Sequence, residues 1–157
     1  MTLALTLLLL AQAPVPAGLT GTWELDPDVS DDPGPMMEAL GVPTALKLLA
    51  PKRPQQTLEV SNGTLSVTAS GPKGKHTEVF TPDGKTTTKA EVMGIAVEFL
   101  TTVEGDAVVC RGSLARGDAG KEPMVIRRSV NTDTMTVLTS IGSRQLKRVF
   151  RRVKTSP

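Results

Sequence analysis

MVIRRSVNTDTMTVLTSIGSRQLKRVFRRV, running from Met124 to Val153, is the stretch that decides the fold. Its hydrophobic residues recur every second position, the period of a half-buried strand, and the runs are broken at Asn131-Thr132-Asp133 and Gly142-Ser143. The strand from Met124 puts Met124, Ile126, Arg128 and Val130 on one face, with Val125, Arg127 and Ser129 on the other. The first face is apolar and belongs inside, so Arg128 points inward among hydrophobes. In the last strand Leu146, Arg148 and Phe150 share the apolar face, so Arg148 points inward too.

Two enclosed guanidinium groups are expensive, because arginine does not shed its proton and an unpaired buried charge costs several kcal/mol. Three arrangements answer this. A ligand carboxylate can take the paired N–H donors, with its tail along Met135, Val137, Val97 and Phe99. An interior Glu or ordered water can pair with the arginines and merely staple the strands together. A register shift of one residue would instead put both arginines in solvent. Under the first reading the ligand-facing wall also takes in Phe150, Met124, Ile126, Val130 and Cys110.

The same period extends backward to Gln55. Thr57 to Val60 and Thr64 to Thr68 flank Ser61-Asn62-Gly63, a hairpin signal. His76 to Phe80, Lys85 to Val92, Ile95 to Val103 and Ala107 to Leu114 follow, separated by turn residues. Ahead of them, Thr22 to Leu25 reads as a first strand anchored by Trp23. The turn-rich DPDVSDDPGP from Asp26 to Pro35 ends it. Two short helices come next, Met36 to Leu40 and Thr44 to Ala50, divided by Gly41 and Pro43. Asp31 and Asp32 sit where they would help cap the first. The expected fold is therefore all-β: an up-and-down antiparallel barrel of about ten strands, with a two-helix lid between strands 1 and 2. Met36, Met37, Leu40, Leu46 and Leu49 form the apolar face of that lid and the rim of a portal.

Composition narrows function further. The chain has 157 residues, 39% hydrophobic and 22% charged with a net charge of +2, as expected for one globular domain. Three Phe, one Trp and no Tyr leave little aromatic surface for stacking nucleobases, so nucleic acid is not an expected partner. Cys110 is the lone cysteine and His76 the lone histidine. No zinc spacing, catalytic triad or paired inward carboxylates can be built around them, since Glu59, Glu91 and Glu98 stand singly on separate strands. No metal, cofactor or enzymatic activity is expected, and nothing signals an oligomer; a monomer is the expectation. Leu3 to Ala11 is an apolar run about half as long as a membrane-spanning helix. Followed by Val15-Pro16-Ala17, it reads as a cleaved signal peptide over 1–17, with the barrel domain over 18–157 in a secreted or periplasmic protein. The outward Arg127, Lys147 and Arg151, with Arg152 and Lys154, are either a solvated face or a stripe for transient contact with an anionic membrane.

Gly21-Thr22-Trp23-Glu24-Leu25, the run Met37-Glu38-Ala39-Leu40-Gly41-Val42, the Asn62-Gly63 turn and the gap-free stretch from Lys121 to Phe150 together resemble the intracellular lipid-binding proteins, the fatty-acid-binding protein family. The resemblance covers Gly21 to Arg152. It implies a ten-strand barrel lidded by two helices, in which two arginines and a tyrosine hold a fatty acid carboxylate. Arg128 falls on the first of these arginines, and Arg148-Val149-Phe150 on the closing Arg-x-Tyr. Phe150 departs from that pattern because it has no hydroxyl, which leaves a two-pronged site and room for another amphiphile. The apparent leader departs from a cytosolic family, and with Leu25-Asp26-Pro27 it also resembles bacterial secreted lipocalin-like domains. The functions left open are carriage of a hydrophobic, anionic ligand and a structural or interaction barrel with a filled interior.

Overall fold

The computed structural model of the chain describes residues 13–48, 51–71, 74–114 and 122–154. A 3-10 turn at Ala17–Leu19 leads into β1 (Gly21–Leu25), α1 (Gly34–Ala39) and α2 (Thr44–Leu48). Then come β2 (Gln55–Ser61), β3 (Thr64–Gly71), β4 (Gly74–Phe80), β5 (Thr87–Val92) and β6 (Ile95–Glu104). The remaining strands are β7 (Ala107–Leu114), β8 (Met124–Asn131), β9 (Thr134–Ile141) and β10 (Arg144–Arg152). They form a single antiparallel 10-stranded sheet in the order β4-β3-β2-β1-β10-β9-β8-β7-β6-β5, curled into a nearly closed barrel. The ten-strand barrel and the two helices between β1 and β2 are as the sequence led one to expect.

Closure is incomplete between β4 and β5, which are not paired in the ladder. Side chains span this seam instead. The Thr88 hydroxyl donates to the Val79 carbonyl at 2.9 Å, and the Glu91 N–H donates to Glu78 Oε1 at 3.1 Å.

Local sequence accounts for the turns. Asn62 and Gly63 both take positive φ, 51° and 75°, which lets a two-residue hairpin follow the right-handed strand twist. Gly41, at φ 72°, stops α1, and the Val42 N–H returns to the Met37 carbonyl at 2.9 Å. Lys85 and Thr86, expected in a strand, lie in a turn. Asp83 Oδ1 accepts from both of their backbone N–H groups, at 2.8 and 2.7 Å, so β5 starts only at Thr87. Asp32 accepts from the Gly34 N–H at 2.9 Å at the start of α1, whereas Asp31 reaches the Lys147 N–H of β10 at 2.8 Å. The expected second helix ends at Leu48; Leu49 and Ala50 lie outside the described residues.

The barrel end opposite the helices is sealed by the 3-10 turn. Leu19 is fully buried, and its carbonyl accepts from Trp23 Nε1 at 2.9 Å. The Arg152 guanidinium stacks 4.3 Å from the Trp23 ring and donates to the carbonyls of Thr20 and Gly18. Val15 belongs to the same core. Of the segment read as a leader, residues 1–12 lie outside the described residues. Among the described residues no helix is long and apolar enough to cross a membrane.

Candidate ligand-binding cavity

Register brings the two interior arginines together. Val137 of β9 is the ladder partner of Arg128 on one side and of Arg148 on the other, so both guanidinium stems leave the same inner face, flanking that valine. Arg128 is only 7% exposed and Arg148 is half-buried. Both Nε atoms are buried and have no hydrogen-bond partner. Among the described residues, neither guanidinium belongs to an ion pair. Burial pushes both groups below the usual arginine pKa; at Arg128 the nearby Cys110 and Glu78 partly counter this. The Phe80 ring lies 6.0 Å from Arg128 Cζ and the Phe150 ring 5.9 Å from Arg148 Cζ, at the outer limit of cation–π attraction. Both arginines therefore face the cavity and not the outer wall, Arg148 keeping some exposure, and neither pairs directly with a described interior carboxylate.

Both arginines line a cavity of about 180 Å³. Phe99, Cys110, Ile126, Val137 and Phe150, five of the residues read from sequence, line it as well. Met124, Met135 and Val97 do not: they are fully enclosed in the packed core, and Val130 packs against it from a partly buried position. Of the path sketched for a ligand tail, Val137 and Phe99 line open space while Met135 and Val97 are taken up by packing. Cys110 contacts the Thr101 hydroxyl at 3.4 Å, and burial raises its pKa, so it is held as the neutral thiol.

In the lid, Met36 and Met37 are buried and Leu40 packs on the core. Leu46 lies 38% exposed over the turn at Met93-Gly94. Leu49 falls outside the described residues. Leu48, not singled out from sequence, is the most exposed large apolar residue among the described residues, at 81%.

Sequence reading also missed cavity residues that the same alternation places inside, Phe80, Glu78 and Gln56 among them. Phe80 faces in, so Glu78 and His76 share its face, and Gln56 shares the face of Leu58. His76 holds the exposed strand position read from sequence, at the cavity rim and 3.7 Å from Glu78. The Glu78 carboxylate is committed there and to the Glu91 N–H, and makes no contact with Arg128 within ion-pair range. Gln56 Oε1 is buried without a partner.

On the outer wall three arginines of the basic stripe have partners, and Arg152 also lies 3.5 Å from Asp133. Arg127 lies 4.0 Å from Glu104 and 3.9 Å from Asp106, Arg151 lies 3.1 Å from Asp26, and Arg152 is taken up by Trp23 and backbone carbonyls. No group of acidic, Cys or His side chains among the described residues is placed to hold a metal ion.

No protein-family model matches the chain, and no curated protein sequence does. Solved structures do match. A Schistosoma mansoni fatty acid binding protein in complex with arachidonic acid superposes with a TM-score of 0.73 at 17% identity, covering 89% of this chain and 99% of that one. Fatty-acid-binding protein 1 of Echinococcus granulosus gives 0.71 at 18% identity, with 87% and 98% covered. The fold is that of the fatty-acid-binding proteins. Human cRBP IV shares it, with a TM-score of 0.68 at 20% identity over 88% of this chain and all of the other. At such identities the likeness concerns the fatty-acid-binding-protein fold alone.

Proposed function

We propose that this barrel binds and carries a hydrophobic, anionic ligand, with the anion held by Arg128 and Arg148. One observation carries the reading: two inward guanidinium groups, one buried and one half-buried, both with buried unpartnered Nε atoms, face a cavity walled by Phe99, Ile126, Val137 and Phe150. A fold keeps such charges at a cost of several kcal/mol unless an anion or trapped water offsets it. A carboxylate matches the paired donors and the apolar wall at once. The structural neighbours include a protein in complex with arachidonic acid, which supports an acid with an apolar tail as the class of guest.

The test is direct. Lipid co-purifying with the protein is extracted in organic solvent and identified by mass spectrometry. Binding of an acid and of its methyl ester is then compared in the wild type and in Arg128→Met/Arg148→Met. The double variant should lose the acid at least tenfold and retain the ester. Equal loss of both, or no ligand at all, would favour the filled, ligand-free barrel.

We also propose export to the periplasm or cell exterior, on the strength of the apolar run from Leu3 to Ala11 and the small residues before Gly18. The intact mass of the protein from a periplasmic fraction tests it. Val15 sits in the core at 7% exposure, so a chain cut after Ala17 forfeits that contact. Such a chain should be about 1–2 kcal/mol less stable in urea than one beginning at Pro14.

A further inference from the structure

We infer that the ligand is a small organic acid of roughly six to ten non-hydrogen atoms, the size of hexanoate, octanoate or benzoate, and that long-chain acids are refused. The inference rests on the proposed function and adds a limit set by volume. The cavity, open to solvent at its rim, holds about 180 Å³, so a longer tail would have to leave through the rim into water. A dry protein cavity of about 150 Å³ takes benzene, whereas sites for drug-sized ligands run from about 300 Å³ upward. Space on this scale accommodates a carboxylate and a short hydrocarbon, and a hexadecyl chain would need several times more.

The rest of the interior is not spare room. Trp23, Leu58, Leu65 and Met135 are all less than 2% exposed and fill the barrel toward the end sealed by the 3-10 turn. Close-packed side chains of this kind do not yield to extra methylenes without rotamer strain and backbone shifts. Phe80 and Phe99 meet edge to face at 6.3 Å and form the wall that a longer tail would have to displace. The Phe99 ring is itself pinned. A Cβ at Gly112 would come within 2.7 Å of Phe99 Cδ1 and 2.8 Å of the Glu98 carbonyl, so this ring already occupies the space glycine leaves. With Phe80 6.0 Å from Arg128 Cζ, the rings wall the guest from the side, and the small volume beside them limits its tail.

Calorimetric titration of the full chain with butanoate, hexanoate, octanoate, dodecanoate and hexadecanoate, each below its critical micelle concentration, tests this, with benzoate as a rigid guest. Affinity should peak at hexanoate or octanoate, benzoate should bind comparably, and dodecanoate and hexadecanoate should be at least tenfold weaker. Affinity that keeps rising to hexadecanoate, while still abolished by Arg128→Met/Arg148→Met, would overturn the size limit and leave the carrier reading standing. No binding of any acid would sink both. Phe80→Leu, which keeps an apolar side chain on the wall, should move the optimum toward longer acids by about two carbons. A folded Phe80→Leu protein with an unmoved optimum would show that the ring does not set the limit.

Discussion

Arg128→Met removes the guanidinium and keeps an unbranched side chain of similar reach. In the ligand-free protein Arg128 is 7% exposed, its Nε has no partner, and burial already pushes its pKa down. An unsatisfied buried donor costs about 1–3 kcal/mol, and hydrophobic replacements of buried ionic groups often gain a comparable amount. The substitution should therefore stabilise the empty barrel by about 1–3 kcal/mol, less whatever the Glu78 charge contributes across the cavity. For a protein of this size 2 kcal/mol corresponds to a rise in Tm of roughly 4–8 °C. Acid binding should fall by a factor of about 10 to 150, the worth of a hydrogen bond to a charged group. Urea unfolding of delipidated protein, with the m-value checked for constancy, measures the first effect, and calorimetric titration the second. Arg127→Met, one residue away on the outer face, is the control and should stay within about 0.5 kcal/mol of wild type. A drop in the urea midpoint for Arg128→Met would refute the reasoning, since it would mean that the guanidinium is paired within the empty barrel and serves to staple it.

Three further expectations use other parts of the structure. Gly112→Ala places a methyl within 2.6 Å of Val97 Cγ1 and 2.8 Å of a backbone oxygen, so it should cost about 1–3 kcal/mol by urea unfolding; a neutral result would show that the wall behind Phe99 yields. Hydrogen bonds from the Thr86 hydroxyl and the Thr86 and Lys85 N–H groups lower the Asp83 pKa from 3.8 to about 2. Its contribution to stability is therefore present above pH 3.8 and lost as pH falls toward 2, so the gap in urea midpoint between wild type and Asp83→Ala should close over that interval; a gap independent of pH would refute the turn's role. Phe150→Tyr puts a hydroxyl beside Arg148, and should raise acid affinity about tenfold while lowering the stability of the empty barrel; unchanged affinity would place the head group elsewhere.

Much of this protein could be read from the chain alone. Period-two alternation from Gln55 onward and turn residues at short intervals determined the strands, because side chains on a pleated strand must alternate between core and solvent. Asn62-Gly63 and Gly41 marked a hairpin and a helix stop, because those conformations need positive φ. The same alternation sent Arg128 and Arg148 inward and, followed with equal care in β4, would have sent Glu78 inward too. Sequence reading sent both arginines inward but did not set them side by side across Val137, since that needs the exact register of two successive hairpins, and a slip of one residue in either would move a partner to the other face. Nor did it reveal that Met124, Met135 and Val97 are spent on packing while Phe99 and Ile126 face open space. Both sets satisfy the same alternation rule. The difference is one of depth along the barrel, fixed only when the strands tilt and interdigitate and leave a residual volume no single strand encodes.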